Sequence, residues 1–140
     1  MALKVSKAEI WTTNIQDRSG GAADKIEPLT QAGANFEFVF ARRMPESPGS
    51  GLCMVAPVKG KKVVAAASAA GFMRAPDIAA LRVEGGNKAG TAGRMTRALA
   101  EAGISFRGLS AMAVGTKFVG YIALDSAADA DRAAKALRKV

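Results

Sequence analysis

Apolar positions along the chain follow two alternating rhythms, and the same order of rhythms occurs twice. From Ala8 to Thr13, Ile10 and Trp11 sit among β-branched neighbours, which predicts a strand. Asn14-Ile15-Gln16-Asp17-Arg18-Ser19-Gly20 is rich in turn formers and reads as a loop. Ala22, Ile26, Leu29 and Ala32 then recur three or four apart, the spacing of one helix face, and Gly33 fits the residue just past a helix end. Pro28 lies inside that pattern and predicts a kinked or weakened helix. Between Asn35 and Met44, Phe36, Phe38 and Phe40 alternate with Glu37, Val39 and Ala41, the period of a strand. Leu52 to Val58 is a second apolar strand, and the Pro- and Gly-rich stretch between the two makes a hairpin. Lys61 to Gly71 reads as a short alanine-rich helix.

The second half repeats this order. Phe72 to Glu84 is long enough for a closing strand running into a new opening strand (Ile78 to Glu84), with Pro76 as the break. The loop Gly85-Gly86-Asn87-Lys88-Ala89-Gly90 follows. Ala92, Met95, Leu99 and Ala102 share one helix face, Arg94, Arg97 and Glu101 look outward, and Gly103 ends the helix. Ile104 to Val114 and Lys117 to Leu124 form the hairpin. Ser126 caps the last helix, with Asp129 three residues later and Ala130, Ala133 and Leu137 facing inward. Arg138 and Lys139 sit at its negative end.

A shift of 70 residues superimposes the halves without a gap from about Ala8 to Met44. It pairs Gly20 with Gly90, Leu29 with Leu99, Ala32-Gly33 with Ala102-Gly103, and Phe36 with Phe106. Asp17-Arg18 falls on Asn87-Lys88, a chemically similar pair. The chain therefore reads as two modules, 1–73 and 74–140. Each is strand-helix-strand-strand-helix, and the missing closing strand of the second is expected from Leu3 to Ser6. This is the split βαβ order of α+β, ferredoxin-like (βαββαβ) folds, with antiparallel sheets and the helices on one face.

Composition narrows the chemistry. The chain has no histidine and a single cysteine, Cys53. That excludes a Ser-His-Asp or Cys-His nucleophile, a histidine metal site, a Cys-rich zinc site and an intrachain disulfide. No metal or other cofactor is implied, and no acid/base pair assembles, so a non-enzyme is expected. The polar N-terminus lacks an apolar signal region, and the apolar run Val63 to Met73 is far short of the roughly 20 residues of a membrane span. A cytoplasmic protein with no membrane partner is expected. Net charge is +8, with nine basic and six acidic residues in the first half and eleven and six in the second. A pI near 10.1 points either to a solvated basic surface or to an anionic partner such as nucleic acid.

The residues quoted above resemble a tandem ACT-domain protein, a family of small ferredoxin-like modules that bind amino acids and regulate enzymes or transcription. The likeness rests on Glu9 to Thr13, Asp17-Arg18-Ser19-Gly20 and Ala32-Gly33 before Asn35-Phe36. In the second half it rests on Leu81-Arg82-Val83, Asn87-Lys88-Ala89-Gly90 and Ala98 to Phe106. Ser19 and Ala89 stand where the family commonly has proline. The resemblance implies a non-catalytic regulatory or sensor module that binds a small amino acid at the strand 1–helix 1 loops, near where modules meet. It also implies a homodimer or a regulated partner protein. The residues it designates are Asn14, Gln16, Asp17, Arg18, Ser19 and Gly20, with Gly86, Asn87, Lys88, Ala89 and Gly90. Glycines there let backbone amides approach a carboxylate, a helix N-terminus favours negative charge, and Asn14, Asp17 or Asn87 supplies an acceptor for an ammonium.

Other readings stand beside this one. The loops also fit plain strand-to-helix turns. Neither is a phosphate-binding P-loop, because no Gly-Lys-Ser/Thr follows at the required spacing, and neither is a dinucleotide fingerprint. Phe36, Phe38 and Phe40 fit either core and inter-sheet packing or base stacking on a ferredoxin-like sheet, as in a basic nucleic-acid-binding or transcription-linked protein. Cys53 reads as a small core residue.

Overall fold

A computed structural model of the chain describes residues 3–140. The elements run β1 (Lys4–Ala8), β2 (Trp11–Gln16), α1 (Gly21–Gln31), β3 (Phe38–Arg43), β4 (Ser50–Ala56), α2 (Lys61–Ala69) and β5 (Met73–Arg74). They continue with β6 (Ala79–Gly86), α3 (Thr91–Glu101), β7 (Gly108–Val114), β8 (Lys117–Leu124) and α4 (Ala127–Leu137). Two compact units result, Glu9–Pro76 and the segment ending at Ala8 together with Asp77–Val140. A division at 73/74 would cut β5 and assign β1 to the wrong unit. The reason is a backbone ladder: β1 pairs antiparallel with β6, Val5 opposite Val83 and Lys7 opposite Leu81. The opening segment is thus the closing strand of the second module, as expected for Leu3 to Ser6.

The Glu9–Pro76 unit has a four-stranded antiparallel sheet in the order β3-β4-β2-β5. Trp11, Cys53 and Val55 project from one face onto Leu29 of α1 and Val63 and Ala67 of α2. Pro28 leaves the helix unbroken to Gln31. It removes one hydrogen bond, to the carbonyl of exposed Asp24, while fully buried Leu29 anchors the last turn. The helix closes in a Schellman motif: Ala34 N–H donates to Leu29 O (3.0 Å) and Gly33 N–H to Thr30 O (3.0 Å). Phe36 precedes the strand and packs against this core. Phe38 and Phe40 lie opposite Ala56 and Met54, so they share the other sheet face. The three phenylalanines therefore do not form one stripe.

The other unit repeats the plan in the order β1-β6-β8-β7. Val5, Leu81, Val83, Phe118 and Ile122 meet Met95 and Leu99 of α3 and Ala130, Ala133 and Leu137 of α4. Helix α3 ends in the same motif, Ile104 N–H to Leu99 O (2.9 Å) and Gly103 N–H to Ala100 O (3.0 Å). Ser126 Oγ accepts from Asp129 N–H (3.1 Å), as the capping pattern predicts. Opening strands β2 and β6 run two or more residues further than expected. Asn14, Gln16 and Gly86 are strand residues as a result, not loop. The first hairpin strand of that unit starts at Gly108, since Ile104 to Arg107 is irregular. Among the described residues, no helix is long and apolar enough to cross a membrane.

Candidate functional site

In the Glu9–Pro76 unit the chain leaves the central strand β2 and turns into α1 through Asp17-Arg18-Ser19-Gly20. Asp17 N–H donates to Gly49 O in the hairpin turn (3.0 Å), Gly21 N–H to Arg18 O (3.0 Å) and Asp24 N–H to Gly20 O (2.9 Å). The other unit reproduces these bonds, each donor 70 residues later. Asn87 N–H donates to Thr116 O (2.8 Å), Thr91 N–H to Lys88 O (3.3 Å) and Arg94 N–H to Gly90 O (3.0 Å). Gly20 and Gly90 both begin the helix with positive φ, 85° and 89°. A side chain there would cost about 1–2 kcal/mol in backbone strain. The repeat seen in the sequence is therefore a repeat of backbone hydrogen bonding. It gives two helix N-termini the same local hydrogen bonds, neither capped by a side chain.

The side chains differ. In the first loop Arg18 gathers three acceptors: Gln16 Oε1 (2.6 Å), Ser19 O (2.8 Å) and the Asp24 carboxylate. Arg43 Nε donates to Asp17 Oδ2 (2.6 Å), and that carboxylate raises the Arg43 guanidinium above its ordinary pKa. Lys25 reaches across to Ala70 O at the end of α2 (2.7 Å). A cleft of about 390 Å³ opens beside this loop, bordered by Asn14, Gln16, Arg18, Asp24, Lys25 and Ser50 with Ile15, Gly21 and Gly49. Asn14, Gln16 and Arg18 thus border one cleft. Asp17, Ser19 and Gly20 shape the loop without lining the cleft.

The second loop borders a cleft of about 330 Å³ formed by Leu3, Gly86, Lys88, Ala89, Thr91, Arg94 and Val140. Gly86, Lys88 and Ala89 are among the designated residues, whereas Asn87 and Gly90 set the turn from outside the cleft. Arg94 donates to Ala89 O (3.2 Å) and Thr91 Oγ1 (3.3 Å). The first cleft offers side-chain charges of both signs, and the second offers cations with no Asp or Glu side chain in its lining. Asp24, Lys25, Thr91 and Arg94 went unread because each sits on the first or second helical turn. The pattern of polar positions along a helix does not say which of them faces a loop. Among the described residues no cluster suited to a metal ion is present.

No family model matches the chain, and no curated protein matches it. Solved structures do. The ligand-free regulatory subunit of aspartate kinase from Thermus thermophilus is 17% identical, covers 99% of this chain and 96% of its own, and superimposes with a TM-score of 0.67. A protein of Bacteroides thetaiotaomicron is 13% identical, with coverage of 94% and 88% and a TM-score of 0.76. Aspartate kinase from Clostridium acetobutylicum is 15% identical over 98% of this chain and 33% of its own, with a TM-score of 0.60. At these identities the likeness is one of fold. The chain shares its fold, two α+β ferredoxin-like modules in one polypeptide, with the regulatory subunits of aspartate kinase from Thermus thermophilus and Thermus flavus.

Proposed function

We propose that this protein is a non-catalytic regulatory module that binds a small amino acid at its strand-to-helix loops. The observation carrying this reading is the loop built twice with the same backbone hydrogen bonds, each time beside an uncapped helix N-terminus and a cleft. Free amides and the positive end of the helix dipole favour a carboxylate. In the first cleft Arg18 and Lys25 add to that attraction, while Asp24 and the Asn14 and Gln16 amide oxygens accept from an ammonium. The regulatory subunit of Thermus thermophilus aspartate kinase shares the fold, which favours regulation over catalysis. Ligand binding would act by favouring one association state over another. The uncharged edge strand β7 (Gly108–Val114), with Met112 and Val114 each 64% exposed, suits a second copy or a regulated partner.

The test is thermal unfolding against each of the twenty amino acids, with calorimetric titration of any that shift the transition. One or a few related amino acids should raise the melting temperature, with the shift growing as the logarithm of concentration above the dissociation constant. Asp24→Asn should weaken that binding without unfolding the chain. If no amino acid shifts the transition or releases heat on titration, the reading is wrong.

A further inference from the structure

Charge is divided unevenly between the two units. Glu9–Pro76 holds eight basic and six acidic residues, and the remainder of the chain twelve and six. In that second unit the acidic residues are mostly engaged. Asp77 and Asp125 face Arg107, Glu84 faces Arg82 and Lys117, Asp129 faces Arg132, and Asp131 faces Lys7. The cations outside these ion pairs are concentrated at one end. Arg132 Nη2 donates to Ala102 O (2.6 Å), which places the middle of α4 beside the end of α3. Val140 and Arg94 border one cleft, which places the end of α4 beside the start of α3. The two helices are therefore antiparallel. Lys88, Arg94 and Arg97 come from one side and Lys135, Arg138 and Lys139 from the other, all six exposed. Arg94 and Arg138 bond only to uncharged oxygens, and the other four engage no carboxylate among the described residues.

We infer that this end of the α3–α4 face docks the phosphate backbone of double-helical nucleic acid. Three features select that partner. Six cations on two adjacent helices and the segments flanking them make a field that attracts a polyanion and not a single small anion. The residues between them (Ala92, Gly93 and Ala136) are small, so a rod-shaped partner can lie close. Neither helix exposes a large apolar side chain, since the exposed ones are Val39, Met73, Phe106, Met112 and Val114. The face therefore lacks both the aromatic platform needed for single strands and the apolar wedge needed for a lipid surface. Binding through backbone phosphates alone is independent of base sequence. This inference does not depend on the amino-acid reading of the loops.

The experiment uses the full chain and a fluorescein-labelled random 20-base-pair duplex, read by anisotropy between 50 and 200 mM NaCl. About five phosphate contacts give a slope of log affinity against log salt near −4.5, a loss of roughly 500-fold over that range. Arg97→Gln with Lys135→Gln, both helix-tolerant exposed changes, should flatten the slope by about 2. Lys61→Gln with Lys62→Gln, in the other unit, should leave it unchanged. Absence of duplex binding at 50 mM salt overturns the inference. So does an unaltered slope in the first variant, an equal loss in the second, or binding to phosphatidylserine vesicles without binding to the duplex.

Discussion

The loop between β2 and α1 makes a sharp steric prediction at Gly21. A methyl group placed there would press into the carbonyl oxygen of Gln16, with the carbonyl carbon 3.1 Å and the amide nitrogen 3.6 Å away. All three are backbone atoms, so no rotamer change relieves the contact. Ordinary carbon–heavy-atom contact lies at about 3.5–4.0 Å, so Gln16 and the helix start must separate by at least about 1 Å. Overpacking of this kind costs about 1–3 kcal/mol. The same movement strains the Arg18 N–H to Gln16 O bond (2.9 Å), a further ~1 kcal/mol. Alanine returns up to about 1 kcal/mol through better helix propensity. The net loss for Gly21→Ala is about 1–3 kcal/mol, a fall in melting temperature of roughly 5–20 °C for a unit this small. Gly93 is the internal control. It lies in α3, is exposed, and nothing stands within 4 Å of an added methyl. Gly93→Ala should raise stability by up to about 1 kcal/mol. Differential scanning calorimetry of the two variants therefore gives shifts of opposite sign. A Gly21→Ala protein that melts like the unsubstituted chain, or a Gly93→Ala protein that melts earlier, refutes the reasoning.

Other perturbations reach the cores and the titrating groups. Leu99 is 1% exposed at the centre of the α3–α4 core, and Leu99→Ala should cost about 3–5 kcal/mol by denaturant titration; a loss below about 1 kcal/mol contradicts that packing. Cys53 is fully buried and burial raises its thiol pKa, so an aromatic disulfide reagent at pH 8 should label it only after denaturant is added. Prompt labelling of the native protein would place the side chain elsewhere. The Arg82 guanidinium, 2.6 Å away, holds the Glu84 carboxyl below its ordinary range. A depressed folded-state pKa stabilises above the unfolded value of about 4.3 and is lost as pH falls through the folded one. The melting-temperature gap between the unsubstituted chain and Glu84→Gln should therefore be open at pH 6 and close towards pH 3. A gap independent of pH would show that the pair does not titrate with folding.

The two kinds of information divide along a physical line. The sequence by itself determined what is local and repeated: the helix faces through Leu29 and Leu99, the Gly33 and Gly103 terminations, the Ser126 cap and the paired loops. Helical periodicity, capping and glycine placement act over a few residues and leave a direct trace. Strand ends were less legible. Asn14 and Gln16 look like loop residues by polarity, yet β2 holds them in its ladder with Leu52 and Ser50. Which sheet face Phe38 and Phe40 occupy depends on register with β4, and a one-residue slip would have reversed it. The tertiary structure alone decided the cleft borders, because Lys25, Ser50 and Arg94 reach them from other elements. It also set the register in which β1, more than 70 residues away in the chain, pairs with β6. Register at that distance is set by which edge lies open when the chain collapses, and a five-residue strand in which Val5 alone is buried carries no mark of it.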